Sequence, residues 1–276
     1  SGDRRSSAHA HLLPGNTYGD LGQPEAVEHL ATALSLFDAA GDIWGVASSR
    51  NNLGVEAYYA GDWDEALGHY LAASEGYRRL GDETNEAMTL NNVGEIHSDQ
   101  GRWDEAEVEL REARRMWQAS GFALGVGIAS SNLGRLAARQ GRAGDADAEF
   151  QLARNTFQSI SARGRLLELD ARVASAAAGT DEFERALDLA RRTLRAGEEL
   201  QPTVQCELHR TAAIALARTG RPGDAAESLE CARRLARESG AVYEIAACEL
   251  AARSLGLPFE SPTDTLHRLG VVNPGR

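Results

Sequence analysis

Apolar residues recur along this chain in a helical rhythm, and the rhythm itself is copied at a fixed interval. Ala26, Ala66, Ala106, Ala146 and Ala186 stand 40 residues apart, and Ala225 follows at 39. Four residues further on come Leu30, Tyr70, Leu110, Phe150, Ala190 and Leu229. Seven on come Ala33, Ala73, Ala113, Ala153, Thr193 and Ala232; eleven on come Phe37, Tyr77, Trp117, Phe157, Gly197 and Ala236. Such offsets trace one stripe of a 3.6-residue helix, with small residues alternating with large ones. The stripe weakens after Phe157. A period of this size means one structural unit copied along the chain.

Each unit also holds an earlier helix, clearest in residues 47–66, 87–106 and 127–146, where Leu53, Val93 and Leu133 are the matching large apolar residues. Gly54, Gly94 and Gly134 follow them. A glycine inside a helix costs about 1 kcal/mol relative to alanine, so three in register predict a close crossing of two helices. Gly61, Gly101 and Gly141 read as C-terminal caps of this helix. Asp64-Glu65 and Asp104-Glu105 then open the second helix with acids at its positive end. Gly41-Asp42, Gly81-Asp82 and Gly121 close the unit, and no strand-like alternation occurs anywhere.

The order L-G, then G-x-W, then A-x-x-x-[YLF]-x-x-A in a helix pair resembles the tetratricopeptide repeat, in a 40-residue form, over residues 12–255. The resemblance implies an all-α, right-handed superhelical solenoid of about six helix-turn-helix repeats plus a C-terminal capping helix. The organisation expected is a disordered segment 1–11, a repeat array over 12–240, and a capping helix and tail over 241–276. Unit one has only residues 12–22 for its first helix, with Pro14 tolerable only near a helix start. In unit five Gly179 to Phe183 displaces the turn glycine and Ala174 replaces the crossing glycine; in unit six Pro222 stands where the aromatic belongs. Residues 91–107 and 128–142 further resemble the C-terminal repeat arm of actinobacterial signalling proteins that carry a class III adenylate/guanylate cyclase domain and an ATPase of the AAA or STAND type. The same repeat style serves transcriptional activators built on an ATPase and a helical arm.

Composition narrows the chemistry. The net charge is −12, and all 29 basic residues are arginine, so no P-loop lysine and no Schiff-base lysine exists in these 276 residues. A basic footprint for nucleic acid is absent, and no apolar run approaches the ~18 residues of a membrane span. Cys206, Cys231 and Cys248 have no C-x-x-C spacing and read as small buried hydrophobes in a reducing cytoplasm. Gly125-Val126-Gly127 has no strand before it and aligns with Gly45-Val46-Ala47, a repeat position. His29 and His69 share another repeat position, and His9 and His11 lie in the Ser-rich N-terminal stretch. No catalytic constellation, metal site or cofactor is expected.

The resemblance places first helices on a concave face. Its inward positions are Asn51, Asn52, Tyr58 and Tyr59 in unit two, and Asn91, Asn92, Glu95 and Asp99 in unit three. Asn132, Arg135 and Arg139 follow in unit four, and Arg210 and Arg218 in unit six. Two uses stand open for Asn52, Asn92 and Asn132. A carboxamide both donates and accepts, so the row either grips the backbone of an extended peptide or bonds the adjacent helix. The charges pose a similar choice, between a groove running from acidic to basic and pairs that satisfy each other across units. The expected role is a non-catalytic arm of a cytoplasmic bacterial signalling protein. Its partner is a protein or peptide in the groove, or the ATPase domain of the same polypeptide; a ligand-sensing arm of a STAND-type activator is the alternative. The start part-way into unit one reads as a cut from a longer protein, with an exposed apolar end that predicts either aggregation or a homodimer.

Overall fold

A left-handed residue punctuates the chain every 20 positions. The computed structural model describes residues 2–20, 23, 25–196 and 200–272. In it Gly41, Gly61, Gly81, Gly101, Gly121 and Gly141 have φ between +66° and +83°, a conformation a Cβ disfavours. Where the beat continues without glycine, Ser161 (φ 54°) and Asp181 (φ 63°) adopt it instead. The turn is the same throughout. Asp62 N–H bonds Ala57 O at 2.9 Å, Arg102 N–H bonds His97 O at 2.8 Å, and Arg142 N–H bonds Ala137 O at 2.9 Å, closing each helix end in the Schellman manner. Ala162 N–H to Phe157 O (2.9 Å) and Glu182 N–H to Ala177 O (3.0 Å) repeat it without glycine. Unit five therefore keeps the turn that its sequence disguises. The next left-handed residues are Gly220 and Gly240, so the 39-residue step falls between Asp181 and Gly220.

These turns divide the described residues into fourteen helices: α1 (Gly2–Asp20), α2 (Glu25–Ala40), α3 (Ile43–Ala60), α4 (Trp63–Leu80), α5 (Glu83–Gln100), α6 (Trp103–Ala119), α7 (Ala123–Arg139), α8 (Ala143–Ser159), α9 (Arg163–Gly179), α10 (Phe183–Ala196), α11 (Pro202–Arg218), α12 (Pro222–Ser239), α13 (Val242–Ser254) and α14 (Thr263–Arg268). Consecutive helices pack as six pairs from α1–α2 to α11–α12, and each pair packs on the next. No strand occurs among the described residues. The fold is an all-helical solenoid.

The periodic stripe is the core. Ala26, Ala66, Ala106, Ala146, Ala186 and Ala225 are all buried, as are Phe37, Tyr77, Trp117 and Phe157; Gly197 lies outside the described residues. Crossing glycines meet large side chains of the second helix. A methyl group on Gly54 would lie 2.7 Å from Tyr70 Cε1, on Gly94 2.8 Å from Leu110 Cγ, and on Gly134 2.5 Å from Phe150 Cδ1. Unit five solves the same problem with two small residues, since Ala174 stands where glycine would and buried Ala190 takes the place of the large partner. Helix propensity and packing density are both kept.

Unit one differs from expectation. Its first helix runs from Gly2 and passes through Pro14, and residues 2–11, expected to be disordered, belong to it. Ala8 and Leu12 are buried in one cluster with Leu30, Ala33, Phe37 and Leu53. That apolar burial, about 1.5–3 kcal/mol per large side chain, offsets a proline cost of about 3 kcal/mol. Gly15 supplies the crossing position, where an added methyl would sit 2.9 Å from Leu30 Cδ2. Residues 21 and 22 of the expected 12–22 stretch lie outside the described residues.

Candidate functional site

Odd-numbered helices touch one another along the array, α5 with α7, α7 with α9 and α9 with α11. Side chains from α5 and α9 meet although 77 residues separate them, Arg172 reaching Glu95 at 3.4 Å. The array therefore curves toward its first helices, which line the inner face.

Asparagines form a ladder on that face. Asn132 Nδ2 donates to Asn91 Oδ1 at 2.9 Å, Asn92 Nδ2 to Asn51 Oδ1 at 3.3 Å, and Asn51 Nδ2 to Asn52 Oδ1 at 2.9 Å. Asn52 Nδ2 continues it to Asn16 Oδ1 at 2.6 Å, and Arg172 caps the other end on Asn132 Oδ1 at 2.5 Å. Of the two uses left open by the sequence, this structure has the asparagines bonded between units.

The charges are also paired. Arg135 contacts Asp99 at 3.3 Å and Glu95 at 3.5 Å, while Arg139 contacts Asp99 at 2.5 Å. The Asp99 carboxylate is fully buried and accepts the Tyr58 hydroxyl at 2.8 Å. Burial alone would push its pKa up, but the Arg135 and Arg139 guanidiniums overcome this and hold it below the ordinary carboxylate value. Burial raises the Tyr58 phenol well above its usual range, and Asp99 adds to the rise. Arg172 goes the other way, lowered first by burial and then by Arg135. In this region the acids of unit three, Glu95 and Asp99, pair across the unit boundary with Arg135 and Arg139 of unit four. Arg210 pairs with Glu244 of α13, and Arg218 is exposed at the end of α11, outside this network. Tyr59 is 45% exposed, yet burial and then Glu95, Glu168, Glu244 and Glu56 raise its phenol.

Sequence reasoning missed what lies across this face. The C-terminal helices return to units two and three. A methyl on Gly61 would stand 2.8 Å from Val242 Cγ1, and the Tyr243 ring lies 5.5 Å from that of Trp63. Arg139 donates to the Tyr243 hydroxyl at 3.2 Å. Beyond α14, Leu269 is buried with Ala57, Trp63, Val93 and Ile96. Gln100 Nε2 donates to Leu269 O at 3.1 Å, and Val272 N–H returns a bond to Gln100 O at 2.9 Å. The expected capping helix thus bridges the C-terminal end of the array and units two and three. Its sequence signal is faint: an aromatic at Tyr243 and the apolar set Leu266, Leu269, Val271 and Val272, more than a cap of one pair requires.

Among the described residues no group of three or more His, Cys, Asp and Glu side chains is placed to hold a metal ion. Nor is any described helix long and apolar enough to cross a membrane.

Two tetratricopeptide repeat models match the chain, at residues 46–80 and 85–159. No curated protein sequence matches it. Among solved structures, an aspartyl phosphate phosphatase F from Bacillus subtilis is similar, with TM-score 0.69 and 12% identity, over 84% of this chain and 60% of that one. The chain thus spans less than two thirds of that protein. The Rap conjugation gene regulator of the plasmid pLS20, in complex with the Phr* peptide, is similar with TM-score 0.63 and 15% identity, over 97% of this chain and 82% of that one. At such identities the likeness is one of fold. Helix pairs of 17–18-residue helices from α3 to α8, left-handed turns in register and the two matching models together make residues 46–80 and 85–159 tetratricopeptide repeats within a helical solenoid.

Proposed function

We propose that this chain is a non-catalytic, peptide- or protein-binding regulatory arm whose inner face receives the partner. The observation that carries this reading is the inner face itself, a row of carboxamides, carboxylates and guanidiniums from five units, bridged by the chain's own C-terminal helices. Such a surface satisfies an extended backbone by exchanging bonds with it. Support also comes from the similar plasmid regulator, which was solved with a peptide. The partner is either a separate peptide or the ATPase domain of a longer polypeptide of the cyclase–ATPase kind, within which this arm holds the output module in check. Regulation then requires the partner to prefer one arrangement of the arm over another.

The test is peptide selection against the chain from a random library, followed by titration of the selected peptides. The expected result is that Asn92→Ala and Asn132→Ala weaken binding by about tenfold or more, equal to about 1.4 kcal/mol. Selected peptides that bind wild type and both variants alike would overturn the inner-face reading. Sequence upstream of residue 1 tests the context, a cyclase domain supporting it and a helix-turn-helix domain replacing it with the activator alternative.

A further inference from the structure

Cys206 on α11 and Cys248 on α13 are both fully buried, and their sulfurs lie 3.7 Å apart. Read from the sequence as separate small hydrophobes, they are in contact. One side of the pair is apolar, formed by Ala213, Leu229, Ala232 and Ala252. The other side is charged. Arg210 and Glu244 pair beside the sulfurs, and Glu244 Oε2 lies 3.7 Å from Cys206 Sγ. The side chains of this ion pair are 15% and 18% exposed, so they form a thin polar roof over the thiols.

We propose that Cys206 and Cys248 form a reversible dithiol–disulfide site, oxidised by hydrogen peroxide, that fastens α13 covalently to α11. A sulfur separation of 3.7 Å must close to about 2.05 Å, a movement within reach of side-chain rotation and a slight approach of two helices. The surroundings divide the roles. Cys206 Sγ faces Glu244 Oε2, a base that can take its proton, while the contact with Cys206 and then Arg210 lower the Cys248 thiol. Cys248 is then the attacking sulfur. Its thiolate attacks one peroxide oxygen, the O–O bond breaks, and hydroxide leaves to become water with a proton from the medium. Cys206 next gives its proton to Glu244 and attacks the Cys248 sulfenic sulfur; the S–S bond forms, the S–O bond breaks, and a second water leaves with that proton. Two thiols lose two electrons and one hydrogen peroxide gains them. The helix so fastened is the one that carries Val242 and Tyr243 onto units two and three.

The test is treatment of the intact chain with hydrogen peroxide, alkylation under denaturing conditions, and peptide mass mapping. The expected product is a Cys206–Cys248 linked peptide pair, two hydrogens lighter than the reduced peptides and released by dithiothreitol. Cys231, half-buried on α12, stays outside it. The linked loop spans 42 residues, and such a constraint should raise the unfolding temperature by about 5 °C. Cys248→Ala should abolish the rise while far-ultraviolet circular dichroism stays helical. Recovery of both cysteines as free thiols at peroxide concentrations that oxidise Cys231 would overturn the proposal. So would linkage through Cys231, or oxidation of Cys248 that stops at sulfinic acid.

Discussion

Asp99 shows how one residue sets the character of the inner face. A fully buried carboxylate survives only if its charge is answered, and here two guanidiniums and a phenol answer it. Asp99→Ala should therefore cost about 3 kcal/mol, because Arg135 and Arg139 lose the charge that offsets their own burial. The pH dependence has a definite sign. The folded pKa of Asp99 is depressed relative to an unfolded value of about 3.9. Its contribution is thus complete above about pH 4 and is lost as the pH falls through the lower folded value. Urea titrations from pH 7 down to pH 2.5 measure this: Asp99→Asn should be destabilised at pH 7 and should lose less further stability in acid than wild type. The sequence placed Asp99, Arg135 and Arg139 at inward positions but left their pairing open. A repeat code gives the direction of a side chain, whereas the pairing depends on how tightly successive units curve.

At the scale of the helix pair, size is conserved in sum and not by position. Gly94 faces Leu110 in unit three and Gly134 faces Phe150 in unit four, while Ala174 and Ala190 share the space in unit five. Gly94→Ala should cost about 1–3 kcal/mol, since its methyl would meet Leu110 Cγ at 2.8 Å. Leu110→Ala alone should cost about 2–5 kcal/mol through the cavity it leaves. The double variant should be less destabilised than their sum by about 1 kcal/mol or more, because the clash and the cavity answer each other. Chemical denaturation of all four proteins completes the cycle, and strict additivity would refute the exchange. This logic also explains what the sequence concealed. Units two to four were legible because glycine marks both turn and crossing. Unit five was not, because Asp181 takes the left-handed turn without glycine and Ala174–Ala190 replaces the small–large pair. Unit one was hidden by Pro14, which signals a helix boundary locally and is overridden by the burial of Ala8 and Leu12.

Over the whole molecule the decisive contact is one that a repeat array does not need. Units of a solenoid ordinarily touch only their neighbours, and stability is then close to a sum over units. Here Val242, Tyr243, Leu269 and Val272 join the C-terminal end to units two and three, so distant units are coupled. No local periodicity encodes such closure, which depends on rotation accumulated over several pairs, and that is why it was invisible in the sequence. Tyr243→Ala removes the ring from Trp63 and the hydroxyl from Arg139, at a cost of about 2–4 kcal/mol. Trp63, 2% exposed in the closed form, should become accessible to acrylamide, its emission should shift to the red, and the radius of gyration from X-ray scattering should rise. The helical content should hardly change, because each pair keeps its neighbours. Denaturation should become broader, since loss of the long-range contact returns the array toward independent units. A variant in which Trp63 stays shielded and unfolding stays equally sharp would mean that the C-terminal helices merely rest on the array. In that case the inner face would be open to a partner without their release.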